Sequence, residues 1–422
     1  MPASPGGPRT RSLPPAVWAL GVVSLLMDSS SELIHGLLPA FLVGVLGAST
    51  VQLGLVEGVA EMTASVVRLF SGAVSDLLGR RKAVVVTGYG LAALTKPLFA
   101  MADGVGTVLA ARFVDRIGKG IRAAPRDALI ADVTPEALRG RAYGLRQALD
   151  SLGAVLGPLL AIGLMVLLAG DIRRVLWFAV VPAVAAVAVL VLFVHEPARG
   201  VPRTGEPRRF ALHELERLPG RFWLVVAIAT VATLARFSEA FLILRLSGLG
   251  LGASMAPLAL LVMSLVYTLS AYPAGWAADR FDRRRLLIPG LAILVVADLV
   301  LAGAGSITAG LIGVAIWGLY MGTSQGLMQT LVAEAAPAPL RGTAFGLYHL
   351  VTGLGLLAAS LLAGWLWSRY SPAAPFLFGA ACASVTLLAL VAMERAKPSR
   401  PGRPDGDSRD QAVAPTDADG AA

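Results

Sequence analysis

Cysteine, histidine and charge are all scarce in this 422-residue chain, which has one Cys, four His and 15% charged residues. The single thiol, Cys382, excludes an internal disulfide framework and a cysteine-based metal site. Soluble globular chains are about 25% charged, whereas here 56% of residues are apolar and the mean hydropathy is +0.72. A water-facing fold cannot hide that much apolar surface. The composition therefore excludes a cytosolic enzyme, a nucleic-acid binder and a single-pass receptor with a folded ectodomain. No GxxxxGK(S/T) phosphate loop occurs, so ATP is not the expected energy source. No cleavable signal peptide is expected, because Met1 to Pro15 contains Pro and Arg and leads into an apolar segment longer than a signal's hydrophobic region.

Long apolar runs are what the chain has instead. One bilayer crossing takes about 20 apolar residues, and the apolar content supplies roughly a dozen such stretches. Apolar runs and their breakers predict helices over 16–44, 52–78, 83–102, 106–131, 141–168, 174–195, 221–246, 255–279, 285–304, 308–333, 342–368 and 375–393. The expected layout has a cytoplasmic segment 1–15, a six-helix half 16–195 and a polar connector 196–220. A second six-helix half, 221–394, and a disordered cytoplasmic tail, 395–422, complete it.

Basic residues alternate by loop. One set of loops holds Arg80, Arg81 and Lys82; Arg139 and Arg141; Arg199, Arg203, Arg208, Arg209 and Arg217; Arg280 and Arg283 to Arg285; and Arg341. The opposite set has little beyond Arg173, Arg174 and Arg369. By the positive-inside rule both termini are expected in the cytoplasm, with the chain in a bacterial inner membrane. The same bias accounts for most of the net charge of +9 without a polyanionic partner.

The chain also repeats itself. Gly72 to Lys82, with Asp76, Arg80 and Arg81, matches Gly275 to Arg285, with Asp279, Arg280 and Arg283, at an offset of 203. Pro135 to Leu145 matches Pro337 to Leu347 at an offset of 202. Two matches at nearly one spacing predict two halves in the same orientation, related by an axis along the membrane normal. The GxxxDxxGRRK run, its copy and the six-plus-six layout resemble the major facilitator superfamily over nearly the whole chain. The run DRIGKGIRAAPRDALIAD, from Asp115 to Asp132, is similar to that of a prokaryotic subgroup of the superfamily. The resemblance implies an all-α membrane protein of twelve transmembrane helices in two six-helix halves. It also implies gating roles for Gly72, Asp76, Arg80, Arg81, Asp279, Arg280 and Arg283. Gly153, Gly157 and Pro158 match a GxxxGP run associated with antiporters; Ala161 and Ile162 depart from it, as Leu77 does from the first loop motif.

Charge within apolar helices is expensive, about 2.5 to 3.5 kcal/mol per residue on insertion scales, so its placement is informative. The first helix carries Asp28, Glu32 and His35 on one face, the second Glu57, Glu61 and Arg68, and the fourth Arg112, Asp115, Arg116, Lys119 and Arg122. Arg146 and Asp150 lie on the fifth, Arg236 and Glu239 on the seventh, Gln325 and Gln329 on the tenth, and His349 on the eleventh. Lys96 and Asp298 are exceptions, on the third and ninth. The resemblance implies that the first, second, fourth and fifth helices of each half line a central cavity.

Arg112, Arg116, Lys119, Arg146, Glu239 and Gln325 are thus candidate substrate contacts, and Asp28, Glu32, Glu57 and Glu61 candidate proton carriers. Asp28, Glu32 and His35 could also ligate a metal, but one helix supplies too few ligands and no second His or Cys cluster completes a shell. No metal or cofactor is expected. The expected activity is proton-coupled efflux of a small organic solute by alternating access, acting as a monomer. Uptake of an anionic or chelating solute, such as a carboxylate or siderophore, is the alternative; a membrane-embedded sensor or enzyme is a remote one.

Overall fold

A computed structural model describes residues 12–78, 80–196, 218–280, 283–324, 327–337 and 340–395. The expected connector and tail lie largely outside them. Among the described residues there is no strand, and fifteen α-helices follow one another. They are α1 (Pro15–Pro39), α2 (Thr50–Leu78), α3 (Arg81–Met101), α4 (Val105–Val133), α5 (Arg139–Leu167), α6 (Ile172–Phe178), α7 (Val180–Phe193) and α8 (Gly220–Leu234). After these come α9 (Ala240–Gly248), α10 (Leu258–Arg280), α11 (Arg283–Gly303), α12 (Ile307–Ser324), α13 (Leu327–Ala335), α14 (Arg341–Arg369) and α15 (Ala374–Arg395).

Local chemistry explains the starts and interruptions. Pro15 opens α1, where a missing N–H costs nothing, and a π-helical turn over Ala40–Val45 continues the helix past Pro39. The helix expected over 174–195 is broken at Ala179, because Pro182 has no N–H to offer the Phe178 carbonyl one turn earlier. Ser30 of α1 donates to the Ala179 carbonyl at 2.6 Å, within the break. The helix expected over 221–246 is likewise two helices, α8 and α9, separated by residues 235–239. That over 308–333 is described as α12 and α13.

Nine stretches among the described residues are long and apolar enough to cross a membrane. α2 and α4 have the length but not the apolarity. Their charges turn inward: Glu57, Arg112, Asp115 and Arg116 are all buried. Large apolar side chains such as Leu167, Leu192, Phe193, Leu269 and Leu388 cover the outside, as a hydrocarbon solvent requires.

Helices α1–α7 pack together, as do α8–α15, and the two groups meet along α2 with α14, α5 with α10, and α1 with α9. At the end carrying residues 45–50 and 364–370 the seam is tight. A Cβ on Gly58 would lie 2.9 Å from the Leu357 Cα of α14, and Thr50 Oγ1 donates to the Gly364 carbonyl at 2.8 Å. On α5, a Cβ at Gly157 would lie 2.6 Å from Glu32 Cβ, and one at Gly153 2.8 Å from the Leu25 carbonyl. Small residues here let α5 press directly against α1.

Candidate transport site

α4 is the spine of the site. At 3.6 residues per turn, Arg112, Arg116 and Lys119 share one stripe, and Asp115, Arg122 and Arg126 an adjoining one. Gly118 and Gly88 let α4 and α3 approach until a Cβ on Gly88 would lie 2.7 Å from the Gly118 carbonyl. That closeness allows Lys96 of α3 to pair with Asp115 at 2.9 Å, while the same ammonium donates to Ser31 Oγ at 3.1 Å. Lys96, expected as an exception on a lipid-facing helix, is therefore buried and neutralised.

Toward the sealed end lies a compact ionic cluster. Arg112 donates to Glu57 Oε2 at 2.9 Å, and Ser238 Oγ, from the break between α8 and α9, donates to the same oxygen at 3.3 Å. The His35 ring stands between two acids, Nδ1 at 3.3 Å from Glu32 and Nε2 at 3.6 Å from Glu57. Arg116 faces Glu61 at 3.5 Å and Asp115 at 3.8 Å. The cluster reaches across both helix groups, since Ser238 belongs to the second.

Below this cluster a cavity opens in three adjoining lobes that share Arg68. The central lobe, about 440 Å³, is lined by Glu32, His35, Glu61, Arg116, Lys119, Arg236, Glu239, Tyr267 and His349. A second, about 610 Å³, runs to the end opposite the seal between Asp28, Arg122, Arg126, Asp127, Arg146 and Asp150 on one side and Ala271 to Gly275 on the other. A third, about 260 Å³, extends beneath Arg236, Tyr320, Tyr348 and His349. The volumes suit a small organic solute.

Pairing is uneven along the wall. Arg146 bonds Asp150 and lies 3.7 Å from Asp127; Arg126 lies 3.3 Å from Asp127 and donates to Ser24 Oγ at 2.9 Å. Among the described residues, no carboxylate lies within 4 Å of Arg68, Lys119, Arg122 or Arg236. Arg122 instead stacks over the Tyr89 ring at 4.5 Å. Asp28 and Glu239 likewise have no ion-pair partner within 4 Å among the described residues.

The sequence-predicted residues thus fall into groups. Lys119, Glu239, Arg146, Arg116, Asp28, Glu32 and Glu61 line the cavity. Arg112 and Glu57 lie behind it, in the sealed cluster. Gln325 and the side chains of Asp76, Asp279 and Arg283 lie outside the described residues. Of the loop motifs, Arg81 bonds Asp132 at 2.7 Å, Arg280 lies over the Trp276 ring at 3.7 Å, Arg80 is exposed, and Gly72 faces Ala124. Tyr89 and Tyr267 went unnoticed in the sequence, because an aromatic in an apolar helix reads as filler; Ser238 stood out only as the neighbour of Glu239, matching Ser31 beside Glu32.

The pattern of the Major Facilitator Superfamily matches residues 20–263 and again 240–417. The chain belongs to this superfamily. It is 30% identical to the MFS-type transporter MJ1317 of Methanocaldococcus jannaschii over 90% of this chain and 95% of that one. It is 28% identical to the multidrug resistance protein MdtH of Yersinia enterocolitica over 83% of this chain and 87% of that one. The crystal structure of the nucleoside transporter NupG superimposes with a TM-score of 0.69 at 13% identity, covering 90% of this chain and 100% of NupG. This superfamily member is accordingly an integral multi-pass membrane protein and a secondary transporter that binds a small molecule, not an enzyme.

Proposed function

We propose that this transporter exports a small organic anion or zwitterion in exchange for protons, by alternating access between two six-helix halves. The observation that carries the substrate class is the set of four cationic heads, Arg68, Lys119, Arg122 and Arg236, that border the cavity without a carboxylate within 4 Å. Among the described residues that line the cavity, only Asp28 and Glu239 oppose them unpaired. Unbalanced cations in a low-dielectric enclosure favour a ligand that brings negative charge, and guanidinium groups grip carboxylate or phosphate bidentately. Lys119 and Arg236 are the primary contacts in this reading. Arg146, Glu239 and Gln325 tune the site, and Arg112 and Arg116 hold its wall in place through Glu57 and Glu61.

Twelve crossings follow if α6 with α7, α8 with α9, and α12 with α13 each make one, which returns both termini to the side rich in basic loops. By the positive-inside rule that side is the cytoplasm, and the cavity then opens inward, ready to load solute for export. The MdtH relationship and the Gly153, Gly157 and Pro158 run favour efflux. Proton exchange is assigned to Glu32, which lines the cavity and contacts His35 at 3.3 Å, with Asp28 and Glu61 as neighbours on the path. Glu57, held by Arg112, is given a supporting part.

A thermal-shift screen of purified protein tests the substrate class, because ligand that binds only the folded form raises apparent stability. Carboxylates and zwitterions should stabilise the wild type and lose that effect in Lys119→Met and Arg236→Met. If permanent cations alone stabilise the protein, and do so equally in both variants, the proposal fails.

A further inference from the structure

The second helix group holds a fully buried acid that the cavity does not use. Asp298, in the second half of α11, is 0% exposed, and neither carboxylate oxygen has a hydrogen-bond partner among the described residues. Among the described residues no basic group lies within 4 Å of it. Its neighbours converge over Gly379 of α15. A Cβ built on that glycine would lie 2.6 Å from Asp298 Oδ2, 3.2 Å from the Ala235 carbonyl oxygen and 3.3 Å from the Phe237 ring. Phe237 in turn packs edge-to-face on Phe376 at 5.3 Å, closing the site to water.

Ala235 closes α8, and the chain is not helical over the residues that follow. Its carbonyl therefore has no N–H one turn ahead, and among the described residues no donor reaches it. Both acceptors border the space that a side chain on Gly379 would fill, an apolar enclosure in which neither has a donor among the described residues, an arrangement that is costly for each. A hydrogen on the carboxyl group would supply the missing donor. A hard metal ion would want about six oxygens, whereas the three atoms nearest a Gly379 Cβ are two oxygens and a ring carbon.

We propose that Asp298 is a buried proton-binding residue whose acid O–H donates to the Ala235 carbonyl, so that proton occupancy governs the break between α8 and α9. Loading adds one proton from solvent to the carboxylate. Release returns it and leaves an anion against a carbonyl, which drives the break to rearrange. The residue after Ala235 is Arg236, and Arg236 and Glu239 line the cavity, so the buried proton acts on the charges that meet solute. The packed elements carry other charged or titratable groups. Arg245 of α9 is held by the carbonyls of Leu301, Ala302 and Ala304, Tyr320 of α12 lines the cavity, Cys382 lies one turn along α15 from Gly379, and Glu334 is on α13.

The coupling consequence rests on the exchange reading above, whereas proton occupancy does not, and infrared spectroscopy of the purified full chain separates them. At pH about 7, where a solvated aspartate is ionised, the wild type should show the stretch of a protonated carboxyl group, and D298N should lose it. Gly379→Ala should shift that band without removing it. D298N, whose amide can donate to Ala235, should melt with the wild type, while Asp298→Leu, which cannot, should melt lower. Superimposable wild-type and D298N spectra would overturn the proposal. So would a stabilisation by sodium ions that D298N abolishes, which would mark a metal-cation site instead. If the band behaves as expected but D298N still concentrates solute against a gradient, the proton is resident and its coupling role is refuted.

Discussion

Glu57→Gln removes one charge from the most enclosed ion pair among the described residues while keeping its shape. Glu57 and Arg112 are each about 1% exposed and 2.9 Å apart. At an effective dielectric constant of about 20, two unit charges at that distance attract by about 6 kcal/mol. Much of this offsets the desolvation of both groups, and removing one partner of a buried pair costs about 3–5 kcal/mol, because the other is left charged and unpaired. The glutamine oxygen can still accept from the guanidinium and from Ser238, so the lower end applies, about 3 kcal/mol. With an unfolding entropy of about 2.1 cal/mol/K per residue, that lowers the melting temperature of this chain by about 3–4 °C. Replacing both members, as Glu57→Leu with Arg112→Met, removes the unpaired charge and should recover most of the loss. Thermal unfolding in detergent, read by tryptophan fluorescence, measures all three. If Glu57→Gln melts with the wild type, or the double variant melts no higher than the single one, the pair is not the closed ionic unit described.

Three other outcomes test the remaining arguments. Arg236→Met or Lys119→Met should weaken an anionic solute about 10- to 100-fold, the worth of one charged hydrogen bond, with little change in protein yield; an unchanged Kd in both would remove the cationic wall from recognition. Glu32→Gln should abolish proton-driven accumulation in proteoliposomes yet preserve solute exchange, and a variant that still concentrates solute would place coupling elsewhere. A reporter active only in the cytoplasm should work when fused after Arg209 and fail near Asp171, and the reverse pattern would end the twelve-crossing topology.

Helix positions were legible because they depend on local patterns. Apolar runs, prolines and basic loops mark the ends of α1 to α5 to within a few residues, and the charges on the first, second, fourth and fifth helices agree with the cavity-lining set that the family resemblance implies. The interruption between α6 and α7 was missed although Pro182 announces it. The interruption between α8 and α9 has neither proline nor glycine within residues 235–239, so no local signal existed. There the backbone groups find partners that are far away in sequence: Ser238 N–H donates to Ser360 and Ser238 Oγ to Glu57.

What the chain determines by itself is which charges must leave the lipid, since each one's position on a helix face follows from residue spacing. Which of them are neutralised is a tertiary matter. Arg112, Arg116 and Lys119 occupy equivalent positions on one stripe, and nothing in their spacing separates them. The packing of α2 on α4 brings Glu57 to Arg112 and Glu61 to Arg116, and the next turn of α2 offers Ser65 rather than an acid, leaving the Lys119 ammonium to the cavity. Asp298 shows the same division: its sequence context says only that an acid lies in an apolar helix. Its solitude, and the free carbonyl opposite it, arise because α15 brings Gly379 against the end of α8, a contact between residues 144 positions apart in the chain.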